Sequence, residues 1–170
     1  MTQKEGIVLI GMAGVGKSTI GSALAQALGF KFTDLDEYIL QKDGQTVQEI
    51  IDSHGEQALI RLEKERMLEL DIKNRVIAPG GSIIYNSQLM NYLKKHALLV
   101  YLADSFENIS RRLNNAASRG IVGLKSKSLQ QIYDERQPLY FRYTDIIVSL
   151  EDKSQEDAVG EILKKFRNSG

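Results

Sequence analysis

Cysteine is absent from the 170 residues, which excludes disulfides and thiolate metal sites and makes a reducing cytoplasm the natural compartment. Long apolar runs are absent too. The run Ile7-Val8-Leu9-Ile10 stops at Gly11, far short of the roughly 20 residues a membrane span needs, and no signal-peptide pattern accompanies it. The chain is therefore expected to be soluble, with no membrane partner. Neither sign of charge is in excess: 22 Lys plus Arg face 22 Asp plus Glu, a formal net charge of zero. Tracking a nucleic-acid backbone calls for a basic stripe, so nucleic-acid binding is excluded and any anion site must be local. No internal repeat, low-complexity tract or Pro/Ser-rich linker divides the sequence. A chain this long buries about 70% of its unfolded surface, enough for a single domain over residues 1–170 without covalent staples, and a monomer is expected.

What is present alternates. Ile7-Val8-Leu9-Ile10, continuous and mostly β-branched, reads as a buried strand, and the segment 17–28 has helical apolar spacing. Further strands are expected around Phe32 up to Asp34, over 75–78 into Pro79-Gly80-Gly81, over 98–102 before Asp104, and at Ile146-Ile147-Val148. Segments 57–70, 106–117 and 128–141 carry helical periodicity. Strand and helix in turn predict an α/β fold with a five-stranded parallel sheet covered on both faces, because right-handed crossover helices join parallel strands. Ligands then belong at the carboxyl ends of the strands. The stretch 114–128 mixes Asn, Ser, Gly and Lys with few apolar anchors and is a candidate mobile lid.

Gly11-Met12-Ala13-Gly14-Val15-Gly16-Lys17-Ser18-Thr19 satisfies G-x-x-x-x-G-K-[ST] between a buried strand and a helix start. Glycines let the backbone aim its N–H groups at phosphates, and the helix offers its positive dipole end to the same anion. Lys17 supplies a mobile charge, and the Ser18 hydroxyl can ligate Mg²⁺. This assigns a nucleotide site, with ATP and Mg²⁺ as its ligands and Gly14, Val15, Gly16, Lys17, Ser18 and Thr19 as its lining. The fold is then a three-layer α/β/α P-loop NTPase of the nucleoside monophosphate kinase-like kind. No guanine-reading N-K-x-D segment occurs, which argues against a signalling GTPase, and the chain is too short for motor or transport ATPases.

The remaining motifs, in order, are Ser18-Thr19-Ile20-Gly21 continuing the loop, Phe32-Thr33-Asp34-Leu35-Asp36, Gly55-Glu56, Ala78-Pro79-Gly80-Gly81, Arg111-Arg112 with Arg119 downstream, and Glu135-Arg136-Gln137-Pro138-Leu139-Tyr140. With this set the chain resembles the shikimate kinase family over nearly its whole length. The resemblance implies a cytoplasmic ATP-dependent kinase of the shikimate pathway of aromatic amino acid biosynthesis, converting shikimate to shikimate 3-phosphate. It implies that Asp34 helps hold the Mg²⁺ bound by Ser18 and that Asp36 contacts the acceptor hydroxyl as base or orienter. It places a substrate ring against Gly80 and Gly81, the substrate carboxylate on Arg136, the adenine on Arg112, and Arg119 over the phosphates as a lid arginine. Lys17, Asp36 and Arg119 are then the catalytic set. A competing role for either aspartate is to cap a helix beginning near Glu37.

Three positions depart from the family's pattern. Ile60 stands where a second carboxylate-gripping arginine is expected, Ser82 is the third position of the glycine triplet, and Arg119 is followed by Gly120 instead of proline. Arg61 is adjacent to Ile60 but rotated by about 100° on a helix. All three fall on the acceptor side or the lid, so the same chemistry on an altered acceptor stays open, as do a gluconate- or nucleotide-like kinase and an ATP-binding module without transfer. The lack of a D-G-F-P-R segment weighs against nucleotide kinases, and Asp36, Arg119 and Arg136 weigh against a module without transfer. His54 and His96 have no metal-ligand spacing and are read as structural, and Glu63-Lys64-Glu65-Arg66 as a solvated helix face. Glu63 alone of that run matches a family acidic position.

Overall fold

The computed structural model describes residues 3–114 and 120–169. Five strands, β1 (Gly6–Ile10), β2 (Lys31–Asp34), β3 (Arg75–Ala78), β4 (Ala97–Ala103) and β5 (Ile146–Ser149), form one sheet in the order β2-β3-β1-β4-β5. Every pairing is parallel, with Ile7 opposite Val76 on one side and Leu98 on the other. Successive side chains of a strand point to opposite faces, yet Ile7, Val8, Leu9 and Ile10 are all buried. Both faces of the centre are therefore covered, which explains why the sequence there is a continuous apolar run.

The cover comes from eight helices among the described residues: α1 (Lys17–Leu28), α2 (Leu35–Asp43), α3 (Val47–His54), α4 (Glu56–Glu69), α5 (Ser87–His96), α6 (Phe106–Asn114), α7 (Leu129–Tyr143) and α8 (Gln155–Arg167). Helix α1 packs with α8, and α5 with α7. A 3-10 turn, Gly81–Tyr85, follows β3. The expected strands are present, as are the helices expected over 57–70 and 128–141 and near Glu37, while α3, α5 and α8 are additional to the expected set. Helix α6 is described to Asn114, and the rest of its expected extent lies outside the described residues, as do residues 115–119 of the lid segment.

Parallel strands deliver their carboxyl ends to one edge of the sheet. Gly11 after β1, Asp34 ending β2, Pro79-Gly80 after β3 and Asp104 after β4 all arrive there. The chain visits β2 and β3 on one side of β1 before crossing to β4, so β1 is the point at which strand order reverses and a crevice opens.

Candidate active site

A cleft of about 990 Å³ occupies that crevice. At one end lies the loop joining β1 to α1, whose geometry needs glycine: Gly16 sits at φ 106°, a left-handed conformation that side chains resist. Among the described helices α1 and α4 begin at a glycine without a side-chain cap, and of these two only α1 also lacks an acidic residue in its first turn. Asp34, Thr46, Asn86, Ser105, Ser128 and Ser154 each accept a backbone N–H at the first turn of a helix. At α1 the capping position is Gly16, with no side-chain cap and no acidic residue in the first turn. Its leading N–H groups and positive dipole end face the cleft, as an anion site requires. Lys17 is 9% exposed, and its ammonium donates at 2.8 Å to the carbonyls of both Gly11 and Met12, which holds it over the loop.

Asp34 caps a helix and is joined to Ser18 at the same time. One carboxylate oxygen accepts the Glu37 N–H at 3.2 Å and caps α2, while the other accepts the Ser18 hydroxyl. Ser18 and Asp34 thus join the loop to the end of β2 at the cleft wall. Hard oxygen donors of this kind suit Mg²⁺, which keeps several water or phosphate ligands and needs few from protein. No group of three or more His, Asp or Glu among the described residues could hold a metal ion. Asp36, on the first turn of α2, also lines the cleft.

Arg136 is 1% exposed, so it is neither a surface residue nor a simple helix-face partner. Its Nη2 donates to the Val122 carbonyl at 2.8 Å, its Nε to the Tyr85 hydroxyl at 3.3 Å, and the guanidinium lies 5.3 Å from the Tyr85 ring centre. Gly81 permits this approach: a Cβ there would stand 2.7 Å from Arg136 Nη1 and 3.1 Å from the Tyr140 hydroxyl. Tyr140 in turn donates to the Gly81 carbonyl at 2.9 Å, and burial pushes its phenol up to about 12. Gly80 is crowded by Glu63 and Asp36, whose oxygens would meet a Cβ at 2.7 and 3.4 Å.

On the loop side, Arg112 donates to the Gly14 carbonyl at 3.3 Å and pairs at 2.9 Å with Asp104. Asp104, buried at the end of β4, is itself fixed by Ser105 and Asn108. Arg119 lies outside the described residues. The segment just after it is docked: Gly120 lies so close to the start of α3 that a Cβ would meet Gln48 N at 2.8 Å, and Gly123 N donates to Glu56 at 2.7 Å.

One expectation is corrected. The run 63–66 is not a solvated face throughout, because Glu63 is 2% exposed and accepts the Ser82 hydroxyl at 2.8 and 3.0 Å. Burial pushes its carboxyl up to about 8 and the neighbouring Asp36 adds to the rise, while Ser82 and Arg136 oppose it. The signal was present in the sequence: Leu59, Glu63 and Met67 recur every four residues and form the buried stripe of α4. Arg66 is half-buried as well, pairing with Glu69 three residues on and, through two bonds, with Asp43 of α2. Ile60 packs partly buried against the core and Arg61 is exposed, and neither lines the cleft. Sequence reasoning also missed Tyr85, Val122 and the segment Lys153-Ser154-Gln155, which lines the cleft between β5 and α8.

Comparison with known proteins agrees with this geometry. The family model described as shikimate kinase matches residues 13–167. A shikimate kinase of Persephonella marina is 34% identical over 163 residues, covering 95% of this chain and 98% of that one. A second, from Caldanaerobacter subterraneus subsp. tengcongensis, is 31% identical over 165 residues, covering 95% and 96%. Among solved structures, shikimate kinase from Acinetobacter baumannii in complex with shikimate superposes with a TM-score of 0.85 at 28% identity, covering 97% of this chain and 94% of that one.

Proposed function

This chain belongs to the shikimate kinase family, and we propose that it transfers the terminal phosphoryl group of ATP to a hydroxyl of shikimate, giving shikimate 3-phosphate and ADP. The observation that carries the reading is one cleft with an uncapped helix N-terminus and Lys17 at one end, buried Arg136 at the other, and Asp34 and Asp36 between them.

On this reading the N–H groups around 14–19 and the Lys17 ammonium hold the phosphates, where charge builds during transfer. Ser18 and Asp34 are the residues that would hold Mg²⁺, which when bound offsets phosphate charge. Asp36 orients the acceptor hydroxyl and takes its proton as the new O–P bond forms and the bond to ADP breaks. Arg136, a planar fork held in place by Val122 and Tyr85, receives the acceptor carboxylate, and the absent side chains of Gly80 and Gly81 leave room for the ring. Arg112, anchored by Asp104, is assigned to the adenine. Arg119 is assigned to a lid spanning 114–128, where an arginine acting on transferring phosphate is worth roughly 10³-fold or more in rate. Closure of that lid would exclude water and suppress ATP hydrolysis.

We further infer a cytoplasmic monomer formed of one domain. No helix among the described residues is long and apolar enough to cross a membrane. The sequence has no cysteine, and the large exposed apolar side chains, such as Leu40, Tyr92 and Leu124, are spread over separate elements. A coupled ADP-release assay with shikimate, quinate, gluconate and nucleoside monophosphates tests the reaction, with turnover on shikimate expected. Turnover confined to gluconate or nucleotides would reject it, and tight ATP binding without any phosphorylated product would mark a binding module instead.

A further inference from the structure

The acceptor end of the cleft depends on how one guanidinium is oriented. Ile60 stands where a second carboxylate-gripping arginine was expected, Arg61 beside it is exposed, and neither lines the cleft, so α4 brings no second fork to the acceptor. A planar fork pairs with a carboxylate only when its donors are aimed at it, and an arginine side chain has several bonds about which that aim can be lost. The plane of Arg136 therefore has to be fixed by its surroundings.

Tyr85 fixes it from outside the cleft. This residue ends the 3-10 turn Gly81–Tyr85, is half-buried, and does not itself line the cleft. Two separate contacts join it to Arg136. The ring centre lies 5.3 Å from the central carbon of the guanidinium, within the range of a cation–π attraction. The hydroxyl oxygen accepts the Nε proton at 3.3 Å. This second contact has a direction, because a hydroxyl has a single proton and here it goes elsewhere: Tyr85 donates it to Glu135 Oε1 at 2.6 Å. Lone pairs are then left for Arg136. The other oxygen of Glu135 is held by Lys127, whose own N–H donates at 2.9 Å to the Gly123 carbonyl. The same segment supplies the Val122 carbonyl that accepts Arg136 Nη2 at 2.8 Å. With Nε and Nη2 engaged, Nη1 sits beside Gly81 on the cleft wall.

We propose that Tyr85 is a positioning residue for the acceptor site: its ring and its hydroxyl together hold the Arg136 guanidinium in the plane that receives the acceptor carboxylate. The inference rests on the function proposed above. Tyr85 touches Arg136 and not the acceptor, so its effect has to pass through that one side chain.

The test is steady-state kinetics of the full chain with ATP and Mg²⁺, shikimate and ATP being varied in turn. Tyr85→Phe keeps the ring and its packing but deletes the acceptor for Nε, and KM for shikimate should rise about threefold to tenfold. Tyr85→Leu removes the ring as well, and the rise should reach roughly tenfold to thirtyfold. In both variants kcat and KM for ATP should stay within about twofold, as expected when only acceptor binding is lost. An effect that passes through Arg136 must vanish when Arg136 or the acceptor's charge is missing. In an Arg136→Met background Tyr85→Phe should therefore add nothing to KM for shikimate. For the uncharged methyl ester of shikimate, Tyr85→Phe should change KM far less, or the inhibition constant if the ester is not turned over; this arm carries the test if Arg136→Met does not fold. A shikimate KM unchanged in both Tyr85 variants, an equal rise for the ester, a rise undiminished in Arg136→Met, or a parallel rise in KM for ATP overturns the inference while leaving the kinase reading intact. Wild-type protein that neither binds nor phosphorylates shikimate overturns the kinase reading and this inference with it.

Discussion

Adding one methyl group at Gly81 should weaken the grip on the acceptor far more than the grip on ATP. Gly81 lies outside the left-handed region, so its backbone accepts alanine. The surroundings do not. The new Cβ would stand 2.7 Å from Arg136 Nη1, 3.1 Å from the Tyr140 hydroxyl and 3.2 Å from the Gly11 carbonyl, three walls of one slot. Tyr140 is fully buried and Gly11 is main chain, so the guanidinium must move, and it is held by Val122 at 2.8 Å. Overpacking of this kind costs about 1–3 kcal/mol, offset by about 0.4–1 kcal/mol from the stiffer unfolded chain. A net loss of roughly 1–2 kcal/mol lowers Tm by roughly 2–8 °C in a chain of this size. Displacing Arg136 from a charge-assisted contact costs a further ~1.5–3 kcal/mol in acceptor binding, which is about a tenfold to hundredfold rise in the KM for shikimate. Steady-state kinetics with each substrate varied in turn, alongside thermal melting, measures both effects. An unchanged shikimate KM in folded Gly81→Ala would refute the assignment of Arg136 to the acceptor.

Three other outcomes are expected. Gly160 lies inside α8 with open space where a Cβ would go, so Gly160→Ala should stabilise the protein by about 0.5–1 kcal/mol, read as a Tm higher by roughly 1–4 °C. Asp34→Asn keeps a good cap for α2 but loses the charge beside Ser18; melting should shift little, while the Mg²⁺ concentration for half-maximal ADP release should rise about tenfold or more. Glu63 is raised from 4.5 to about 8 on folding, so the folded chain keeps a proton that the unfolded chain loses. Its contribution to stability is full below pH 4.5 and drains away as pH rises to 8, by an amount on the order of a few kcal/mol. Denaturant unfolding should therefore show Glu63→Gln gaining on wild type between pH 5 and pH 8, and a constant difference across that range would contradict the buried placement.

Much of the site was legible because its chemistry is local. A strand, a glycine-rich turn and a helix start within residues 6–17 are consecutive in the chain, and backbone geometry alone brings their N–H groups to one point. The five strands announced themselves in the same way, since a strand buried on both faces must be apolar throughout. Asp34 was legible in part: its position after a strand allowed a cap or a metal ligand, and it serves as a cap and as the partner of Ser18 together because a carboxylate has two oxygens. Helix α3 was harder to foresee, being short and carrying only two buried positions.

By itself, then, the order of residues determined the sheet, the phosphate loop and the family, all of which rest on periodicity and on motifs of a few consecutive residues. Only tertiary structure decided the acceptor half. Glu63, Ser82, Tyr85, Val122 and Arg136 come from four separate segments, and no spacing rule links them. Whether Glu63 meets water or a buried hydroxyl depends on what packs over α4, and its charge depends on that burial, since a carboxyl removed from water holds its proton until the pH is well above its ordinary value.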